Sequence, residues 1–118
     1  MTKIKLEKFA SLIGRELGNV ILFDVRDELI KGISITHVDV SADYSVAQIY
    51  YTFLGDYERD FVQGELTKAS SFLRSNLAKR LNARHTPELR FKFDSSVEHG
   101  TKIERILKEL KEKEEQDK

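Results

Sequence analysis

Ile33-Ser34-Ile35-Thr36-His37-Val38-Asp39-Val40-Ser41-Ala42-Asp43-Tyr44-Ser45-Val46-Ala47-Gln48-Ile49-Tyr50-Tyr51-Thr52-Phe53-Leu54 is the stretch that decides the fold. Residues 33–41 are rich in β-branched side chains and read as a strand. Residues 46–54 place Ala47, Ile49, Tyr51 and Phe53 on one side, since successive side chains of a strand point to opposite faces. Ile33 and Ile35 have one phase of that alternation, and Val38 and Val40 have the other. A bulge or bend near Thr36-His37 reconciles them. Ala42-Asp43-Tyr44-Ser45 is a short polar turn, so the segment predicts an antiparallel hairpin.

Upstream, residues 3–22 read as a helix. Phe9, Leu12, Ile13, Leu17, Val20 and Ile21 recur at helical spacing and form one apolar stripe. Gly14 and Gly18 interrupt it. Their spacing would signal membrane dimerisation only in an apolar segment, and Arg15 and Glu16 lie between them, so close packing on a sheet is expected. Residues 23–32 lose the period and carry charge, which predicts a loop.

Downstream, Gly55-Asp56 ends the second strand, with Asp56 as the expected N-cap. A long helix is expected from Tyr57 to Leu81, burying Val62, Leu66, Ala69, Leu73, Leu77 and Leu81. Ser70 and Ser71 sit mid-pattern, where hydroxyls compete for backbone groups and can bend a helix. Pro87 closes the next loop. Residues 88–94 alternate cleanly, with Leu89, Phe91 and Phe93 inward and Arg90, Lys92 and Asp94 outward. Thr101 and Glu104 form a capping-box signature for a last helix with Ile103, Ile106, Leu107 and Leu110 on its apolar face. Residues 1–110 are expected to form one domain, and 111–118 a charged, disordered tail. The class is α+β: three strands with helices on one face, in the order α-β-β-α(kinked)-β-α.

The 118 residues are 40% hydrophobic and 34% charged, an ordinary soluble composition for a single domain. No apolar run is long enough to cross a bilayer, and the N-terminus lacks the apolar stretch of a signal peptide. Cysteine is absent, which removes thiol nucleophiles and disulfides. His37, His85 and His99 follow no metal-ligand spacing, and no metal site is expected. Asp39, Asp43 and Asp94 lie at turns and strand ends, where aspartate serves the backbone. No set of nucleophile, base and orienter is present, so no catalytic residue and no enzyme activity is expected.

Net charge is zero, but the charges are segregated. Acids dominate from Asp24 to Glu65. From Leu66 to Lys92 the order reverses, with Lys68, Arg74, Lys79, Arg80, Arg84, Arg90 and Lys92 against Glu88. A local basic field can bind phosphate whatever the net charge. At about 100° per residue, the side of the long helix opposite Leu73, Leu77 and Leu81 collects Ser71, Ser75, Lys79 and Asn82. Small hydroxyl residues let a phosphate backbone approach, and a bend at Ser70-Ser71 would expose helix amides to it. An ordinary solvated helix face would show the same residues.

The element order is similar to that of the type II KH domain, an RNA-binding fold that usually clamps nucleotides with a GXXG loop. No GXXG occurs here. The chain resembles the ribosome-binding factor A family, a KH-like family in which a helix–kink–helix with an Ala-x-Gly motif replaces that loop. The matching stretch is Ala69-Ser70-Ser71-Phe72-Leu73-Arg74-Ser75, followed by Leu77-Ala78-Lys79-Arg80-Leu81. Val38-Asp39-Val40-Ser41-Ala42-Asp43, Ala47-Gln48-Ile49-Tyr50-Tyr51, Pro87-Glu88-Leu89-Arg90-Phe91 and Asp94-Ser95-Ser96 resemble further family segments, in the family's order. Arg15-Glu16-Leu17 fits the opening helix. Two positions depart from the pattern: Ser71 stands for the kink glycine, and Asp27-Glu28-Leu29 stands for the family's Asp-Pro-Arg.

The resemblance implies a cytoplasmic, monomeric assembly factor that binds free 30S subunits. It would assist late maturation and 16S rRNA processing near the 5′-terminal helix, and matter for growth in the cold. No cofactor, small-molecule substrate or membrane partner is implied. The expected RNA-binding residues are Lys68, Ser70, Ser71, Arg74, Ser75, Lys79, Arg80, Arg84, Arg90 and Lys92, with Ala69, Ser70 and Ser71 as the kink motif. Two alternatives stand beside this: a KH-like module for another RNA, and a protein-interaction domain using the exposed sheet face with Tyr50, Thr52, Arg90 and Lys92.

Overall fold

In a computed structural model, which describes residues 3–96, the hairpin forms as its alternation requires. Strand β1 (Ile33–Val40) pairs antiparallel with β2 (Val46–Phe53). The register shifts between Ile35 and His37, so Thr36 is the extra residue of a bulge. Ile33, Ile35, Val38 and Val40 stand opposite Phe53, Tyr51, Ile49 and Ala47. One added residue thus keeps both apolar phases of β1 on the inner face. The turn is held by Asp43, whose Oδ1 accepts from the hydroxyls of Ser41 and Ser45 at 2.8 and 2.7 Å and from the Ser45 amide at 3.1 Å. These three donors hold the Asp43 carboxyl down at about 2, the Ser45 hydroxyl contributing most.

Helix α1 (Lys3–Asn19) runs on into a π-helical turn, Val20–Asp24. Ile13 and Leu17 are buried on the side of α1 that packs on the sheet, and Val20 and Ile21 are buried where the π turn meets α3. A Cβ at Gly14 would meet Val38 Cγ2 at 3.4 Å, so Gly14 does mark close packing on β1. Gly18 does not: nothing lies within 4 Å of such a Cβ. Residues 23–32, expected as a loop, instead contain the end of the π turn and a short helix, α2 (Glu28–Lys31). Val25 and Ile30 are buried there, and Asp27 caps α2 by accepting the Leu29 amide at 2.9 Å. Apolar anchors on either side of a capping aspartate favour this helix over open coil.

Helix α3 spans Arg59–Leu81. It begins later than expected: Glu58, not Asp56, occupies the cap position, and no side chain caps it. Gly55 makes the turn between β2 and α3 at φ 107°, a left-handed conformation that side chains resist. The helix is continuous through Ser70-Ser71. Val62, Leu66, Leu73 and Leu77 form a single buried line across both serines, so helical phase is kept and no second helix N-terminus opens there. Asn82 ends α3 in the left-handed region, its amide bonded to the Ala78 carbonyl at 3.3 Å.

Strand β3 (Glu88–Phe93) adds to β2 in parallel, giving the order β1-β2-β3. A parallel neighbour requires a crossover, and α3 supplies it. The core lies between the sheet and α1 and α3: Ala47, Ile49, Tyr51, Leu89 and Phe91 meet Ile13, Leu17, Leu66, Leu73 and Leu77. Among the described residues, helices therefore cover one face of the sheet only, as the alternation predicts. The expected last helix, with Thr101 and Glu104, and the tail 111–118 lie outside the described residues, as does His99.

Candidate nucleic-acid interface

The outward side of α3 is built by helical spacing. Phe61, Lys68, Phe72, Ser75 and Lys79 recur at intervals of seven, four, three and four, which places them on one stripe. All five are exposed, as is the neighbouring Ser71. No acid occurs from Leu66 to Pro87, so the C-terminal half of this face is uniformly cationic or neutral. Lys68 makes a 3.3 Å pair with Glu65 in its own helix, an exposed contact of little strength. Lys79 and Arg84 are exposed.

Other expected site residues are engaged inside the fold. Ser70 donates to the Thr67 carbonyl at 2.8 Å. Ala69 packs against the core. Arg74 donates from Nε and Nη2 to the Thr86 carbonyl at 3.2 and 2.8 Å, tying α3 to the loop before β3. Arg80 donates from the same two nitrogens to Asp24 Oδ2 and Oδ1, both at 2.9 Å. Its hydrogen bond to Arg80 holds the Asp24 carboxyl below the usual range, with the charges of Arg80 and Lys79 adding to it against partial desolvation. The spacing carried the signal: Arg80 follows Val62 by about five helical turns and so lies on the same side of α3.

Arg90 and Lys92 leave the sheet on the face opposite the helices. There the register lines up His37, Tyr50 and Lys92 in one row and Asp39, Gln48 and Arg90 in the next. The His37 ring lies 5.7 Å from that of Tyr50, and its Nε2 is 2.8 Å from Asp39 Oδ1. Arg90 reaches Glu88 at 3.5 Å. This face is polar and mixed in charge. It is separated from the α3 stripe by the thickness of the domain, so the expected residues do not share one surface.

Several exposed large apolar side chains were not expected from the sequence. Phe61 and Phe72 are 52% and 50% exposed, Leu22 63% and Phe23 68%. Their signal was present for Phe61 and Phe72, which fall on the polar stripe by spacing. Leu22 falls off the apolar stripe of α1 by spacing, and Phe23 lies beyond it, in the π turn.

A groove of about 680 Å³ runs between α1 and β1, lined in part by Ser11, Arg15, His37 and Asp39. The imidazole is held by Asp39, and both side chains are 62% exposed. Among the described residues no hydrogen bond joins Ser11 to His37, and no cluster of histidine and carboxylate side chains could hold a metal ion.

Comparison with known proteins gives a consistent result. The profile described as "Ribosome-binding factor A" matches residues 5–107. The ribosome-binding factor A of Syntrophomonas wolfei is 41% identical over 115 residues, covering 95% of this chain and 94% of that protein. That of Limosilactobacillus fermentum is 39% identical over 110 residues, covering 92% of each. Among solved structures, the crystal structure of ribosome-binding factor A from Thermus thermophilus superposes with a TM-score of 0.64 at 25% identity, covering 78% of this chain and 96% of that one. A homology model of the Thermus thermophilus protein, fitted into a cryo-electron-microscopy map of a complex with the 30S subunit, matches with a TM-score of 0.58 at 26% identity, covering 70% of this chain and 87% of that one.

Proposed function

This chain belongs to the ribosome-binding factor A family, and on that premise we propose that it is a ribosome assembly factor that binds free 30S subunits through 16S rRNA. The similarity to a protein fitted on the 30S subunit supports the partner. The single observation that carries the RNA surface is the exposed, acid-free half of α3, with Lys68, Ser71, Ser75, Lys79 and, just beyond it, Arg84. Lysine and arginine on such a face attract and position phosphates, while serine leaves room for the backbone. In this reading the protein acts as a monomer in the cytoplasm, in late 30S maturation and 16S rRNA processing, with a role in growth in the cold. It works by binding, without a cofactor and without catalysis. Among the described residues, the open sheet face is polar and mixed in charge, without an apolar patch of the kind a protein partner would select.

The test is co-sedimentation of the purified protein with isolated small subunits across a range of salt. Replacing Lys79 and Arg84 with glutamine should weaken binding. Loss of two phosphate contacts should lower the slope of log K against log salt by about 1.4 to 1.8, from single- to double-stranded RNA. An unchanged slope would move the RNA surface off α3.

A further inference from the structure

The end of α1 carries a feature that the α3 stripe does not use. The π-helical turn Val20–Asp24 buries Val20 and Ile21 and turns Leu22 and Phe23 into solvent. Single π turns inside α-helices are frequent at functional sites. Phe23 is also held in place. The Arg80 guanidinium lies over its ring, 5.7 Å from the centroid, and Arg80 is itself fixed by two 2.9 Å bonds to Asp24. A cation on one face leaves the other face of the ring open, consistent with its 68% exposure. Lys79 is adjacent in sequence, and its charge acts on Asp24. Arg80 neutralises Asp24, and although the charge of Glu16 also acts on Arg80, Lys79 supplies a further cation beside the ring. A polyanion with an unpaired aromatic base fits this combination better than an apolar protein surface does.

We propose that Phe23 is a stacking platform for one unpaired RNA base, with Lys79 contacting the phosphate beside it. The proposal rests on the RNA reading of α3 and extends it to a specific subsite between the two helices. The clamped arginine orders the ring before RNA arrives, so little freedom is lost on binding.

The experiment measures affinity for isolated small subunits, and for a dye-labelled twelve-nucleotide oligouridylate as a defined single strand, at several salt concentrations. Variants are Phe23→Ala, Phe23→Leu and Phe23→Trp. The exposed position should leave each melting temperature close to the parent's. Phe23→Ala and Phe23→Leu should weaken binding by between about fivefold and about 150-fold, the span of base–aromatic stacking on alanine substitution. The salt slope should not change, because no phosphate contact is lost. Phe23→Trp should bind as well as the parent or better. Parent-like binding by Phe23→Leu would show a merely apolar contact and overturn the proposal, as would parent-like binding by Phe23→Ala. The two ideas fail separately. A parent protein that does not bind small subunits sinks the RNA reading and this subsite with it. A parent that binds with a Lys79-dependent slope but ignores Phe23 sinks the subsite alone.

Discussion

Arg80 on α3 grips Asp24 at the end of the π turn with both prongs of its guanidinium, each at 2.9 Å, across 56 residues of chain. The pair fixes where the end of α1 meets the end of α3. A planar fork matched to a carboxylate is specific to arginine. Arg80→Gln should therefore lower the melting temperature measurably, and Arg80→Lys should restore only part of it. Lys79→Gln next door should leave it nearly unchanged, within about 0.5 kcal/mol, as exposed substitutions do. Equal melting curves for Arg80→Gln and Lys79→Gln would show the pair to be ornamental. The consequence for function is direct: a variant of Arg80 confounds folding with RNA binding, whereas Lys79 and Arg84 test binding alone.

The hairpin turn predicts a pH dependence. Asp43 is held at about 2 by hydrogen bonds from Ser45 and Ser41. Its folded value lies below the unfolded one of about 3.9. The ionised carboxylate therefore contributes stability in full above the unfolded value, and that contribution is lost as pH falls from there through about 2. Asp43→Asn keeps an acceptor oxygen but removes the charge. Melting temperatures measured from pH 5 down to pH 2 should fall more steeply for the parent than for the variant. Parallel curves would mean that the three donors to Asp43 do not depend on its charge.

The alternation of residues 46–53 and 88–93 made the sheet legible, because one buried face against one solvated face leaves a period of two. Even the Thr36 bulge followed from the phase change between Ile35 and Val38. The short helix α2 did not, since four residues are too few to show a period; its one sign is Asp27, which serves as a cap inside a segment that otherwise has the charge of a loop. At the candidate site, the acid-free run was visible because charge is written directly in the letters. Partnership was not. Spacing sets Arg80 on the Val62 side of α3, but it does not name Asp24 as its partner or the Thr86 carbonyl as that of Arg74, since those groups are brought near only by the packing of α3. Ser71 replaces the glycine that the resemblance associates with a kink, and α3 stays continuous there. Serine disfavours the backbone angles that glycine permits, which is consistent with an unbroken helix.

A hydrogen-bonded chain beneath α3 sets how that helix, and with it the cationic stripe, sits on the sheet. The Tyr51 hydroxyl donates to Gln63 Oε1 at 2.6 Å, and Gln63 Nε2 donates to the Phe91 carbonyl at 2.8 Å. Three elements, β2, α3 and β3, are joined by one side-chain amide. Tyr51 is fully buried, and burial pushes its hydroxyl pKa upward, so it remains a donor throughout the neutral range. Tyr51→Phe removes the donor and leaves the glutamine oxygen unmatched, costing about 1–3 kcal/mol. Gln63→Leu strands the tyrosine hydroxyl and the Phe91 carbonyl and should cost a similar amount or more. The double variant should cost less than the sum of the two, because the second change removes a group that the first had already orphaned, and such neighbours couple by about 0.5–3 kcal/mol. Urea melts of the four proteins complete the cycle. Strict additivity would show that the two side chains act independently, and the placement of α3 would then rest on its buried apolar line and on the Arg74 and Arg80 contacts.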